Sequence, residues 1–207
     1  MAGCRVLKKL ASMLLLTVAV NAVAEKPATQ IIPDAYRQIA AEEHVPAESL
    51  YSLAMAESTR KTEWGTKPWP WTLNVAGKGY RYEPREEAWE ALLGFMQRYP
   101  LRRIDVGVAQ VNLGWNGHHF PTFRDAFDPY TNLRAAARIL RACYDAQQGS
   151  WIKAAGCYHH PAGGKAANTY MAIVRSKLSQ IAPVSSNALL SAPAPSPAMT
   201  LTWIEPK

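Results

Sequence analysis

Between two stretches patterned for helix, the segment Thr59 to Tyr82 abandons helical spacing and fills with Gly, Pro and Trp. Within it, Trp71-Thr-Leu-Asn-Val followed by Ala-Gly-Lys-Gly-Tyr-Arg-Tyr reads as a β-hairpin. Any fold for this chain must therefore seat a small β excursion in a helical body. The expectation is a mainly α (α+β) fold.

The helical body is legible on both sides of that break. Pro33 to His44 puts Ala35, Ile39 and Ala40 on one face, and Ala47 to Ser58 carries Leu50, Leu53, Ala54 and the Tyr51/Met55 pair at helical spacing. Pro84 to Arg98 returns to helix, with proline in its first turn and acidic residues just after. Arg102 to Asp105 reads as a short strand leading into Gly107 to Asn112. Asp128-Pro129 opens a long helix to about Gln148, with Leu133, Ala137, Leu140 and Tyr144 as its stripe. Ser150 caps a helix running to Tyr158, a Pro-Ala-Gly-Gly turn follows, and a last helix runs from about Ala166 to Ile181.

The two ends read differently from this body. Arg5, Lys8 and Lys9 precede an apolar run from Leu10 to Val20, and Ala22-Val23-Ala24 supplies a small-x-small cleavage pattern. Residues 1–24 are thus expected to be a signal peptide, removed on export to the periplasm. The run is about half the ~20 residues a membrane span requires, so no anchor is expected after cleavage. Residues 183–207 are rich in Ala, Pro and Ser, and Ser191 to Pro197 reads Ser-Ala-Pro-Ala-Pro-Ser-Pro. Such a composition cannot bury a core, so a disordered tail is expected. One folded domain, 25–182, lies between them.

Removing Arg5, Lys8 and Lys9 lowers the basic count from 23 to 20 against 16 acidic residues, a net charge of +4. The charge is mild and unclustered, which argues against a nucleic-acid partner. It is compatible with an anionic polymer such as the cell wall, and equally with simple solubility. Export also leaves two cysteines, Cys143 and Cys157. An even count in an oxidising compartment favours a disulfide between them, with two buried thiols as the alternative.

Glu57 is the foremost candidate for chemistry. It ends a predicted helix, where the macrodipole gives a negative charge no support, and follows Leu53, Ala54, Met55 and Ala56. Apolar surroundings favour the acid form, as proton donation at neutral pH requires. On local sequence alone, a surface glutamate at a helix end is the simpler explanation.

Its context changes the weighing. Glu57-Ser58, Gly107-Val-Ala-Gln110-Val-Asn112, Asn132-Leu133 before a long helix, and Tyr158 before a glycine turn occur in that order. The series resembles the lytic transglycosylases of the lysozyme superfamily. Their pattern is a helix ending in Glu-Ser, then Gly-x-x-Gln-x-Asn, an Asn-Leu helix start and a Tyr-Asn-x-Gly motif. The resemblance spans roughly Pro33 to Ile181. Trp69-Pro-Trp71-Thr-Leu-Asn-Val and Cys157-Tyr158-His159 bring it nearest the branch that serves conjugation and secretion systems.

The resemblance implies a lysozyme-like domain whose β excursion flanks a catalytic cleft. It implies that Glu57 is the acid/base cleaving the bond between N-acetylmuramic acid and N-acetylglucosamine, with a 1,6-anhydro product. Ser58 would support the site, Gln110 and Asn112 would bind substrate or hold a turn, and the Tyr158 hydroxyl would orient Glu57. Trp64, Trp69, Trp71, Tyr80 and Tyr82 are expected to make a small satellite core, with one or two of them, Trp71 foremost, facing the sugars.

Two departures bear on this. His159 stands where the family has asparagine, beside His160. These residues and the His118-His119 pair lack the ligand spacing of a zinc site, so neither metal nor cofactor is expected. Asp105, two residues before Gly107, also resembles the second carboxylate of animal-type lysozymes. Two alternatives therefore stay open: a muramidase using Glu57 and Asp105, or a non-catalytic wall-binding assembly factor. The expected partners are peptidoglycan strands and components of a conjugation or secretion apparatus, with the enzyme a monomer.

Overall fold

A computed structural model describes residues 29–182 apart from 64 and 148, so the signal-peptide and tail expectations lie outside the described residues. Two helices open the fold, α1 (Asp34–Glu42) and α2 (Ala47–Glu57). Two hairpins follow, first β1 (Thr59–Thr62) with β2 (Gly65–Pro68), then β3 (Thr72–Val75) with β4 (Lys78–Arg81). Next come α3 (Arg85–Met96), β5 (Ile104–Val106), β6 (Val111–Asn112) and the single-turn α4 (Leu113–Asn116). Three longer helices, α5 (Pro129–Ala146), α6 (Trp151–His159) and α7 (Gly164–Leu178), complete it. The architecture is mainly α with a small antiparallel β part.

The core is organised around α2. Leu50, Tyr51, Ser52, Leu53, Ala54 and Met55 are all buried, so this helix is enclosed on every side. A helix apolar all round has to be central, and α1, α5, α6 and α7 pack around it. Capping follows the sequence: Asp128 accepts from the Thr131 N–H at 2.8 Å with Pro129 in the first turn, and Ser150 accepts from the Lys153 N–H at 3.3 Å.

Strands β4, β3, β5 and β6 form one antiparallel sheet in that order. The β3–β4 hairpin closes through Ala76 and Gly77, both at positive φ, which is the two-residue turn that suits strand twist. The expected strand at Arg102–Asp105 is shifted. Pro100 starts a single turn of 3₁₀ helix at Leu101–Arg103, and the strand begins only at Ile104. The β1–β2 hairpin has no counterpart among the sequence expectations.

Cys143 on α5 and Cys157 on α6 form the expected disulfide, with Cα atoms 5.8 Å apart and a sequence separation of 14. Closing a loop of this size removes about 3 kcal/mol of entropy from the unfolded chain. Replacing both cysteines with serine is expected to lower Tm by roughly 10 °C in a thermal melt. An unchanged melting point would show that packing of α5 on α6 suffices alone.

Candidate active site

Glu57 is the last residue of α2, and Ser58 leaves the helix at φ −130° and ψ 15°. Ser58 is fully buried. Its hydroxyl donates to the Val108 carbonyl at 2.6 Å and accepts from the Trp69 N–H at 3.1 Å. The end of α2 is thereby tied both to the Gly107–Asn112 segment and to the entry of the sheet. The Glu57 side chain, 13 % exposed, faces a cleft of about 740 Å³ that also contains Asp105, Gln110, Asn112, Tyr158 and His159. All the polar residues carried by the ordered motifs, apart from the buried Ser58 and Asn132, line this one cleft.

The cleft floor is a turn held by two buried side-chain amides. Asn132 is fully buried on α5 and donates to the Val106 and Ala126 carbonyls, each at 2.9 Å, while accepting from the Ala109 N–H at 2.9 Å. Gly107 packs directly against it at φ +87°, where an added Cβ would lie 2.2 Å from Asn132 Nδ2. Gln110 sits at φ +51° and spends both amide hydrogens on backbone, to Gly107 at 2.8 Å and Thr72 at 3.1 Å. Its nitrogen therefore holds the turn, leaving only its carbonyl oxygen for a ligand.

Asn112 joins two parts of the site. Its amide nitrogen donates to Asp105 at 2.8 Å, and its oxygen accepts from the Gly114 and Trp115 N–H groups at 3.1 Å each. Asp105 is pushed up to about 6, chiefly by burial. The Asn112 hydrogen bond pulls it down, the Glu57 charge adds to the rise, and His159 opposes it. An acid whose folded value exceeds its unfolded one is charged at the expense of stability above the folded value. Stability should thus fall as pH rises from about 4 to about 6. Asp105→Asn is expected to stabilise the chain by about 2–3 kcal/mol at pH 8 and to do little at pH 3. Denaturant melts at both pH values test this, and equal gains at the two would refute the buried charge. A fold that carries such a charge at neutral pH does so for function more often than for stability.

The far wall comes from α5, α6 and the residues that follow α6, with α7 packed behind α6. The Tyr158 hydroxyl donates to the Ala109 carbonyl at 2.8 Å, so its one proton is not directed at Glu57 as expected. Burial raises this phenol well above its ordinary value, with the Glu57 and Asp105 charges adding. The hydroxyl beside Glu57 that lacks a well-formed hydrogen bond is that of Tyr170, buried on α7 and raised by burial and then by the Glu57 charge. His159 stacks flat on the Tyr170 ring at 4.2 Å and 2°, with Nδ1 at 3.9 Å from the Glu57 carboxyl. Glu57 raises the imidazole above its ordinary value against the opposing effect of burial.

The aromatics pack as a core, as expected in part, but the expectation that Trp71 faces the cleft is corrected. Trp71 is only 3 % exposed and meets the buried Trp69 edge to face at 5.4 Å, so both belong to the core. Tyr80 packs on Phe95 at 4.9 Å, and Trp64 lies outside the described residues. Among the described tryptophans, the one that lines the cleft is Trp115, on α4. Sequence reading overlooked both Trp115 and Tyr170. Trp115 stands three residues beyond Asn112, and Tyr170 belongs to the Ala167, Tyr170, Val174 stripe of α7.

Among the described residues, no group of three or more His, Cys, Asp or Glu side chains is arranged to hold a metal. Two carboxyls, two imidazoles and a phenol in one cleft suit proton transfer to and from a bound molecule. Comparison with protein-family models, curated proteins and solved structures finds no match for this chain.

Proposed function

We propose that this chain is a peptidoglycan lytic transglycosylase cleaving the β-1,4 bond between N-acetylmuramic acid and N-acetylglucosamine. The observation that carries the reading is Glu57: a nearly enclosed carboxyl at a helix end, on which the separated motif segments converge within one cleft. Protonated Glu57 gives its proton to the glycosidic oxygen as the C1–O bond breaks. The resulting carboxylate then takes the proton of the muramic C6 hydroxyl as that oxygen closes onto C1. The sugar supplies its own nucleophile, so no water is consumed and one carboxyl suffices. Above pH ~6 the Asp105 charge would stabilise the positive charge developing at C1. Export to the periplasm and service to a conjugation or secretion apparatus belong to the same proposal. They rest on the N-terminal pattern and the branch features alone.

Asp105 favours a second reading. A second carboxylate in the same cleft would let a retaining muramidase form a covalent intermediate. Digestion of purified sacculi, with mass spectrometry of the released muropeptides, separates the two. Products one water lighter than reducing muropeptides establish the transglycosylase. Reducing products establish the hydrolase, and strand binding without release leaves a wall-binding factor.

A further inference from the structure

His159 ends α6 and brings an ionisable ring to Glu57 at the point where the resembling family carries a neutral amide. Its Nδ1 lies 3.9 Å from the Glu57 carboxyl, within ion-pair reach and about 1 Å beyond a hydrogen bond. The ring lies flat on the buried Tyr170, 4.2 Å away and 2° from parallel, so the stack fixes the side from which it meets Glu57.

The groups around the imidazole favour its charged form. Glu57 at the end of α2 raises it, burial opposes, and the Asp105 charge from β5 adds to the rise. The C-terminal end of α6 acts in the same direction, because its free carbonyls attract a cation. Tyr158 on α6 and Tyr170 on α7 are held well above the ordinary phenol value, so both stay neutral near pH 7. From α5 the cleft takes Ile139 and Cys143, which carry no charge, and β6 gives the Asn112 amide. His160 is the other basic residue lining the cleft.

We propose that His159 is a positioning residue for Glu57: the two share one proton, which Nδ1 passes to the carboxyl to give the form that donates to substrate. The transfer takes one proton from Nδ1 to a Glu57 oxygen and turns an ion pair into a neutral ring and a neutral acid. While the pair keeps that single proton, the share residing on the carboxyl is set by the two groups alone and does not vary with pH. The cleavage rate is therefore level wherever the imidazole is charged, and it falls once the pair has lost its proton. The assignment rests on the reading of Glu57 as the acid of glycan cleavage.

Two measurements on the mature protein test this. The first is an NMR titration of the histidine rings, with the His159 signal identified by its loss in His159→Asn. Glu57→Gln is expected to move that titration to lower pH. The second is muropeptide release from sacculi between about pH 5.5 and about pH 9, for the parent, His159→Asn and His159→Phe, the last keeping a flat ring on Tyr170. Without the imidazole to compete for the proton, both variants should gain on the parent by up to roughly tenfold per pH unit as pH falls through the range where the parent ring becomes charged. Taking the ratio divides out the titration of Asp105 common to all three chains. A merely structural role gives a ratio that is constant with pH, and that result overturns the proposal. An imidazole titration unmoved by Glu57→Gln, in a chain that still releases anhydro products, also overturns the shared proton and leaves the cleavage reading standing. A titration that moves, with no product from the parent at any pH, supports the pair and sinks the cleavage reading.

Discussion

Replacing Glu57 with glutamine is expected to lower muropeptide release from sacculi by about three to four orders of magnitude. Positioned acid–base catalysis contributes about 10²–10⁴ in rate, and here one carboxyl serves first as acid and then as base. Glutamine keeps the shape and can still hydrogen-bond, but its amide neither gives up nor takes a proton at neutral pH. The substitution should spare the fold. Glu57 is at the helix end facing the cleft, with the His159 imidazole Nδ1 3.9 Å from its carboxyl. Strand binding should persist while turnover disappears, the signature of a group needed in the transition state more than in the ground state. A residual rate within tenfold of the parent would remove Glu57 from the chemistry.

The second large effect concerns the cleft floor. Gly107→Ala is expected to cost about 3–5 kcal/mol, combining strain at positive φ with forced overpacking. The new methyl would meet Asn132 at 2.2 Å and the Ala126 carbonyl at 2.6 Å. Neither can withdraw easily, because Asn132 is committed to three hydrogen bonds with backbone. Gly77→Ala is the natural control. Its φ is +88°, almost the same, and nothing lies within 4 Å of the added Cβ. It should cost only about 1 kcal/mol. Chemical denaturation of the two variants side by side isolates the clash from the strain. Equal losses would mean that the floor yields to the methyl.

The six longer helices and the second hairpin were legible because each carries a periodic apolar face or a recognisable cap, whereas the single turn of α4 was not read. The Ala47–Ser58 segment reads as helix from spacing alone, and Asp128-Pro129 announces α5 by its capping chemistry. The β1–β2 hairpin was not legible, since its residues are exposed or only partly buried and no alternation marks an inner face. Trp71 was misread for a related reason. β3, which it leads into, has Thr72, Leu73 and Val75 all buried, so alternation cannot say which side meets a ligand. In the site, motif order pointed to Glu57, Asp105, Gln110 and Asn112 as neighbours. It could not apportion their hydrogen bonds, which depend on where backbone carbonyls lie. Tyr170 was hidden because a tyrosine in an apolar stripe looks like core until its hydroxyl is located.

Asn112 gives the cleft an unusual indivisibility. One face of its amide fixes the charge environment of Asp105, and the other seats the turn that carries Trp115. The Asp105 side of the cleft and the turn that carries Trp115 are therefore not modular. A change at Asn112 alters both together, and only a double-mutant cycle with Trp115 and Asp105 can apportion its effect. The same wiring would narrow the routes by which such a cleft could be retuned toward a different ligand.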